Sequence, residues 1–154
     1  MTLKYILVSL FLIIKTNCKY NMKVAVVGSR SINDRDLIIS FIEESHSFDK
    51  QYDKLISGGA RGVDTIAEDY AKSKEIRTII FYPDWEKYGN KAGFIRNADI
   101  ISKCDKCIVI WDGKSSGTEH DIELCDQMKK PCYIYNLATN EKYSINEYIQ
   151  EELF

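Results

Sequence analysis

The sequence has no surplus of basic charge, almost no histidine and no apolar run long enough to cross a bilayer. Each shortage closes off a class of function. Lys and Arg number 21 against 23 Asp and Glu, a net charge of −2. Residues 1–21 hold three lysines and no acid, which leaves 18 basic against 23 acidic residues over 22–154. Nothing in that balance recruits a polyanion by bulk charge, so nucleic acid is an improbable partner, whereas one small anion in a local pocket is not excluded. The longest apolar run, Tyr5 to Ile14, is flanked by Lys4 and Lys15 and covers ten residues, about half of what a membrane-spanning helix needs. It fits a signal-like segment with a poor cleavage site, or an extension upstream of a true start at Met22. The expected division is thus 1–21 as an apolar N-terminal extension and 22–154 as a single functional domain. Membrane association is expected only if 1–21 is a retained anchor.

There are two histidines, His46 and His120, and no His-x-x-x-His pair or carboxylate cluster suggests a metal site. No metal site and no cofactor are expected on that ground. Five cysteines are an odd number in a chain large enough to bury its own core, which argues against a disulfide framework. Cys104-x-x-Cys107 has metal-like spacing but no second pair. Cys107, Cys125 and Cys132 fall in apolar segments and read as small core residues. A reduced, cytoplasmic setting follows. The two common nucleotide fingerprints, G-x-G-x-x-G and G-x-x-x-x-G-K-[ST], are also absent, as are repeats and low-complexity tracts.

What is present is a strict alternation. Strand-like runs at Lys23–Val27, Lys54–Ser57, Arg77–Tyr82, Cys107–Trp111 and Cys132–Tyr135 are rich in Val, Ile and aromatics. Amphipathic segments near 34–45, 62–74, 92–103 and 118–130 read as helices, the first capped by Asn33 or Asp34. Ser144 with Glu147 has the capping-box pattern of a terminal helix over 144–152. The expected fold is α/β, Rossmann-like and doubly wound: a mainly parallel five-stranded sheet with helices on both faces.

In such a sheet ligands bind where strand ends lead into helices. Three glycine- and hydroxyl-rich loops stand there: Gly28-Ser29-Arg30-Ser31, Gly58-Gly59-Ala60-Arg61-Gly62-Val63-Asp64 and Asp112-Gly113-Lys114-Ser115-Ser116-Gly117-Thr118. Glycine lets backbone N–H groups approach an anion, and helix N-termini add partial positive charge. One such loop is an ordinary turn. Three on one edge point to a phosphate-bearing ligand. Arg30, Arg61 and Arg96 are the cationic candidates, since a guanidinium donates paired hydrogen bonds to phosphate. Trp111 could stack on a base or pack in the core. The segment Pro83–Gly89 could cover a ligand or a sheet edge.

Val26-Val27-Gly28-Ser29-Arg30, the Gly58–Asp64 string, Ala92-Gly93-Phe94-Ile95-Arg96-Asn97 and Ser116-Gly117-Thr118 together resemble the SLOG superfamily, which includes the Smf/DprA and LOG proteins. The resemblance is to its YspA branch (YpsA-related) and spans about residues 22–136. It implies a Rossmann-like domain that binds a nucleotide or nucleotide-derived ligand, as a sensor or a processing protein. The ligand-binding set it implies is Gly28, Ser29, Arg30, Gly58, Gly59, Ala60, Arg61, Gly62, Asp64, Arg96, Asn97, Ser116, Gly117 and Thr118.

The LOG phosphoribohydrolases and the nucleoside deoxyribosyltransferases are similar around Gly117-Thr118, with Asp121 where their catalytic Glu stands. That likeness implies an alternative, cleavage of a nucleoside N-glycosidic bond, with Arg96 and Asp121 as catalytic residues. The segment departs from the LOG pattern by lacking its Pro-Gly-Gly start, and Asp121 is one methylene shorter than Glu. A homo-oligomer is compatible with the resemblance.

Overall fold

The computed structural model describes residues 21–147. Six strands form one sheet: β1 (Lys23–Gly28), β2 (Lys54–Ser57), β3 (Arg77–Ile80), β4 (Lys106–Trp111), β5 (Cys132–Asn136) and β6 (Glu141–Ile145). Their spatial order is β3-β2-β1-β4-β5-β6. The first five are parallel and β6 runs antiparallel to β5. The helices between them are α1 (Arg35–Ser45), α2 (Val63–Ser73), the single turn α3 (Trp85–Tyr88), α4 (Ala92–Lys103) and α5 (Ser116–Gln127). The chain is therefore doubly wound, and the strand order reverses between β1 and β4, which are neighbours in the sheet.

Alternation along the central strands sorts the core into two halves. Val24, Val26, Leu55, Ile108 and Ile110 point into one cluster with Ile38, Ile42, Val63 and Ala67 of α1 and α2. Ala25, Val27, Ile56, Cys107, Val109 and Ile134 point into the other, with Ile100, Ile101 and Leu124 of α4 and α5. A strand covered on both faces needs apolar side chains of both parities, which is why β1 and β4 read as unbroken apolar runs. Asp34 caps α1 by accepting from Leu37 N at 3.1 Å.

One expected element is different. Residues 141–145 form a strand, not the first turn of a helix over 144–152. Asn140 turns the chain with φ of 55°, and Tyr135 Oη donates to its side-chain oxygen at 2.7 Å, so the hairpin closes tightly. The new strand covers the edge of β5, whose backbone groups would otherwise lack partners. The local helix signal loses to that pairing. Asn146 seals the strand's end by donating to the carbonyls of Cys125 and Lys130. Residues 148–152 and the apolar N-terminal segment 1–20 lie outside the described residues. No helix among the described residues is long and apolar enough to cross a membrane.

The contact that seats α2 on the sheet is made at Gly28. A Cβ there would lie 2.3 Å from the Ile110 carbonyl oxygen and 2.7 Å from Val63 Cγ2, and neither backbone nor buried helix can yield cheaply. Gly28→Ala should therefore lower stability by about 3 kcal/mol or more, the upper range for overpacking, in chemical denaturation. A loss below about 1 kcal/mol would show that helix and strand are not held as described.

Candidate functional site

The carboxyl ends of β1, β2 and β4 meet at one cavity of about 430 Å³. Its walls come from the β1–α1, β2–α2 and β4–α5 loops, the middle of α4 and the first turns of α5. The centre of the arrangement is Arg96, a charged side chain only 9% exposed. Its Nη1 donates to the carbonyls of Gly58 and Phe81, and its Nε donates to Asn97 Oδ1 at 3.0 Å. Asn97 in turn donates to the Gly117 carbonyl at 3.3 Å. One guanidinium–amide pair thus ties the β2 loop to the start of α5.

Asp64 completes the β2 loop. Its Oδ2 accepts from the N–H groups of Gly58 and Ala60 at 3.2 and 3.3 Å. A Cβ on Gly58 would sit 2.9 Å from both Arg96 Nη1 and Asp64 Oδ2, so only glycine fits between the two charges. On the other side, Ser29 Oγ accepts from Asp112 N at 3.0 Å and lies 3.3 Å from Thr118 Oγ1. Thr118 Oγ1 donates onward to Ser115 Oγ at 3.1 Å. These hydroxyls stitch the β1 loop, the β4 loop and α5 together.

Three carboxyl groups line the cavity in different states. Partial burial opposes the charge of Asp112, but hydrogen bonds from Ser31 Oγ, the N–H groups of Ser115 and Lys114 and the Ser29 hydroxyl outweigh it, bringing its pKa to about 2. Asp64 is raised to about 6, chiefly by burial, with Arg96 and the two N–H donors only partly compensating. Asp121 is raised well above the usual carboxylate range by burial first and by the nearby Asp64 second. Asp121 is 5% exposed, yet its Oδ1 has no hydrogen-bond partner among the described residues. A buried polar atom left unpaired costs stability, and a cavity wall is where a ligand would repay it.

Of the residues expected in a binding site, Gly28, Arg30, Ala60, Asp64, Arg96, Asn97, Ser116, Gly117, Thr118 and Asp121 come together on this cavity. Ser29, Gly58, Gly59, Arg61 and Gly62 do not line it. Ser29 and Gly58 stand behind it as supports. Gly59 has a φ of 67°, and a Cβ there would meet Tyr82 and Ile80, so its requirement is conformational. Gly62 packs against the backbone of Ser29 and Arg30, and Arg61 is exposed. Ser31, Asp112 and Ser115 also line the cavity; sequence reasoning had them in the first and third loops but left them out of the binding set. The signal for Asp112 was its place directly after a buried strand, at the mouth of the third loop. Trp111 is not on the cavity; its Nε1 donates to the Ser115 carbonyl at 3.1 Å, bracing that loop. Tyr82 and Trp85 are 70% and 54% exposed and also lie away from the cavity.

Comparison with known proteins follows the same residues. The family model of the YspA, cpYpsA-related SLOG family matches residues 22–88, which contain the first two loops. Gene 61 protein of Mycobacterium phage D29 is 30% identical over 104 residues, covering 64% of this chain and 83% of that protein. The chain belongs to the YspA, cpYpsA-related SLOG family. Solved structures share the fold. DNA processing protein A from Helicobacter pylori, described for its single-stranded DNA binding mode, superposes with a TM-score of 0.61 at 22% identity. The match covers 80% of this chain and 69% of that one. TM1055 superposes with a TM-score of 0.55 at 20% identity, covering 72% of each chain.

The carboxyl pair gives this SLOG domain a pH signature. Asp64 and Asp121 bind protons more tightly folded than unfolded, so between pH 4 and about 6 the native state holds more protons. Stability must then fall as pH rises through that window. Asp64→Asn should flatten the fall by on the order of 3 kcal/mol, read from denaturation midpoints between pH 4 and 7.5. An unchanged slope would mean that Asp64 is not held as described.

Proposed function

We propose that the cavity binds a nucleotide or nucleotide-derived ligand with few phosphates, its phosphate at Gly117-Thr118 and Arg30 and its ribosyl hydroxyls toward Asp64 and Asp121. The unpartnered Oδ1 of Asp121 carries this reading, because a sugar hydroxyl would satisfy it. Phosphate is suited to the other wall, where the start of α5 supplies partial positive charge and Arg30 is free to reach. The walls carry Asp64 and Asp112 against Arg30 and Arg96, with no cationic surplus. That balance supports one or two phosphates rather than a long polyphosphate.

The same balance bears on a nucleic-acid partner. The Helicobacter pylori protein has a single-stranded DNA binding mode, but at 22% identity the likeness carries fold alone. The surplus of acid over base across 22–154 favours a small ligand over a strand. Oligonucleotide therefore belongs in the binding test as a competitor. The four cysteines among the described residues are free, in keeping with the reduced, cytoplasmic setting proposed for the domain.

Arg30 is exposed and its removal should leave the fold intact. Calorimetric titration of the full chain with nucleoside monophosphates should show one site. Arg30→Ala should weaken it about tenfold, the equivalent of one charge-assisted hydrogen bond, with the melting temperature unchanged. The reading fails if no nucleoside mono- or diphosphate binds at millimolar concentration and none is released when the purified protein is denatured. Equal affinity in Arg30→Ala would remove Arg30 from the site.

A second reading, N-glycosidic cleavage, is favoured by Asp121, raised well above the usual carboxylate range by burial, beside Asp64 at about 6, since pairs of carboxyls pushed apart in pKa suit acid–base work. Its test is chromatographic detection of free base from nucleoside monophosphates. As an enzyme, the protein should release base, and Asp121→Asn should lose at least about a hundredfold in kcat, the usual scale of acid–base catalysis, with binding little changed. Binding without base release by the wild type leaves a sensor and excludes the enzyme.

A further inference from the structure

Outside the cavity the most unusual grouping of side chains is sulfur. Cys104, Cys107, Cys125 and Cys132 all belong to the apolar half-core beneath α4 and α5, and each is 0% exposed. Cys107 on β4 and Cys132 on β5 are direct partners in the strand register, and Cys125 faces the same cluster from α5. The spacing Cys104-x-x-Cys107 lacks a second pair only in the linear sequence. The fold supplies one, with Cys125 and Cys132 arriving from different elements.

The Sγ atoms of Cys107, Cys125 and Cys132 lie within 4.8 Å of one another. A point therefore exists within about 2.8 Å of all three sulfurs, against a Zn–S bond of about 2.3 Å. Contraction by about half an ångström per side chain closes that gap. Cys104 stands outside the triangle, its thiol donating to the Ile101 carbonyl at 3.3 Å. It lies in the same buried cluster as the other three thiols, which makes it the candidate for a fourth ligand. Charge balance is provided nearby. A zinc(II) ion on three thiolates is net −1, and Lys130 sits at the same end, its ammonium donating to the Cys104 carbonyl at 2.9 Å. The walls around the sulfurs include Ile100, Ile101, Val109 and Ile134, so the position is closed to water, as structural rather than catalytic zinc sites are.

We propose that Cys107, Cys125 and Cys132, with Cys104 as the fourth candidate, form a closed structural site for one thiophilic d10 cation of the zinc class. Each thiol that ligates gives its proton to solvent as the metal–sulfur bond forms. A site this enclosed fills as the chain folds. It is separate from the nucleotide cavity and stands or falls independently of the reading above.

The test is metal stoichiometry. The full chain is refolded under reductant with zinc(II), dialysed, and its metal measured by mass spectrometry; a parallel sample is refolded with cobalt(II). About one zinc per folded chain is expected, with a thiolate-to-cobalt charge-transfer band in the near ultraviolet. Cys18→Ser should keep both signals, and Cys132→Ala should lose them. Folded wild type holding less than about a tenth of an equivalent of zinc, with no such band, would overturn the site and leave the thiols as ordinary core residues. Retention of full zinc by a folded Cys132→Ala, or its loss in Cys18→Ser, would also overturn it. If Cys132→Ala does not fold, the wild-type stoichiometry and the cobalt band still decide.

Discussion

The carboxyl edge of this sheet depends on one buried guanidinium. A charge withdrawn from water must find hydrogen bonds and counter-charge within the protein. Arg96 finds both, in the Gly58 and Phe81 carbonyls, the Asn97 amide, and the nearby carboxyl of Asp64. Much else follows from satisfying it. Position 58 cannot carry a side chain, because the space is occupied by the two charges. Asp64 must turn back to receive the loop's N–H groups. Asn97 must face α5. The cavity is thus held by groups that stabilise one another, which is the condition for a preorganised site.

The cavity also departs from what stability alone would select. Burial of Asp64 and Asp121 at neutral pH is unfavourable, and Asp121 leaves an oxygen without a partner among the described residues. Such costs concentrate where a protein is shaped for a ligand. Asp112 is the contrast. It receives hydrogen bonds from two side chains and two backbone N–H groups and serves to fold its own loop. Three chemically identical side chains on one cavity therefore divide into a loop anchor, a partly compensated acid and a carboxyl whose charge burial disfavours. Environment alone separates them.

Much of this was legible in the sequence, for identifiable reasons. The five parallel strands and four long helices were readable because each buried face imposes its own periodicity. The three loops were readable because close backbone approach restricts them to small residues. The terminal segment was misread because a capping-box pattern is local, whereas the pairing of Glu141–Ile145 with β5 is not. Ser29 and Gly58 were placed in the binding set although they stand one layer behind it; the sequence marks a residue as constrained without saying whether ligand or neighbour constrains it. Asp112 and Ser115 were read in the third loop but left out of the binding set for the converse reason, since their types suit any loop. The meeting of Cys107, Cys125 and Cys132 could not be read at all, because it needs the strand order and the facing of α5.

The central claim is that the functional site lies where β1, β2 and β4 end. Backbone amide shifts recorded while the full chain is titrated with a nucleoside monophosphate test it most directly. The account predicts saturable shifts concentrated at Arg30, Ala60, Asn97, Gly117, Thr118 and Asp121, with the opposite end of the sheet around His46 and Tyr70 unchanged. Shifts centred on His46 and Tyr70, or no saturable shift anywhere, would contradict it.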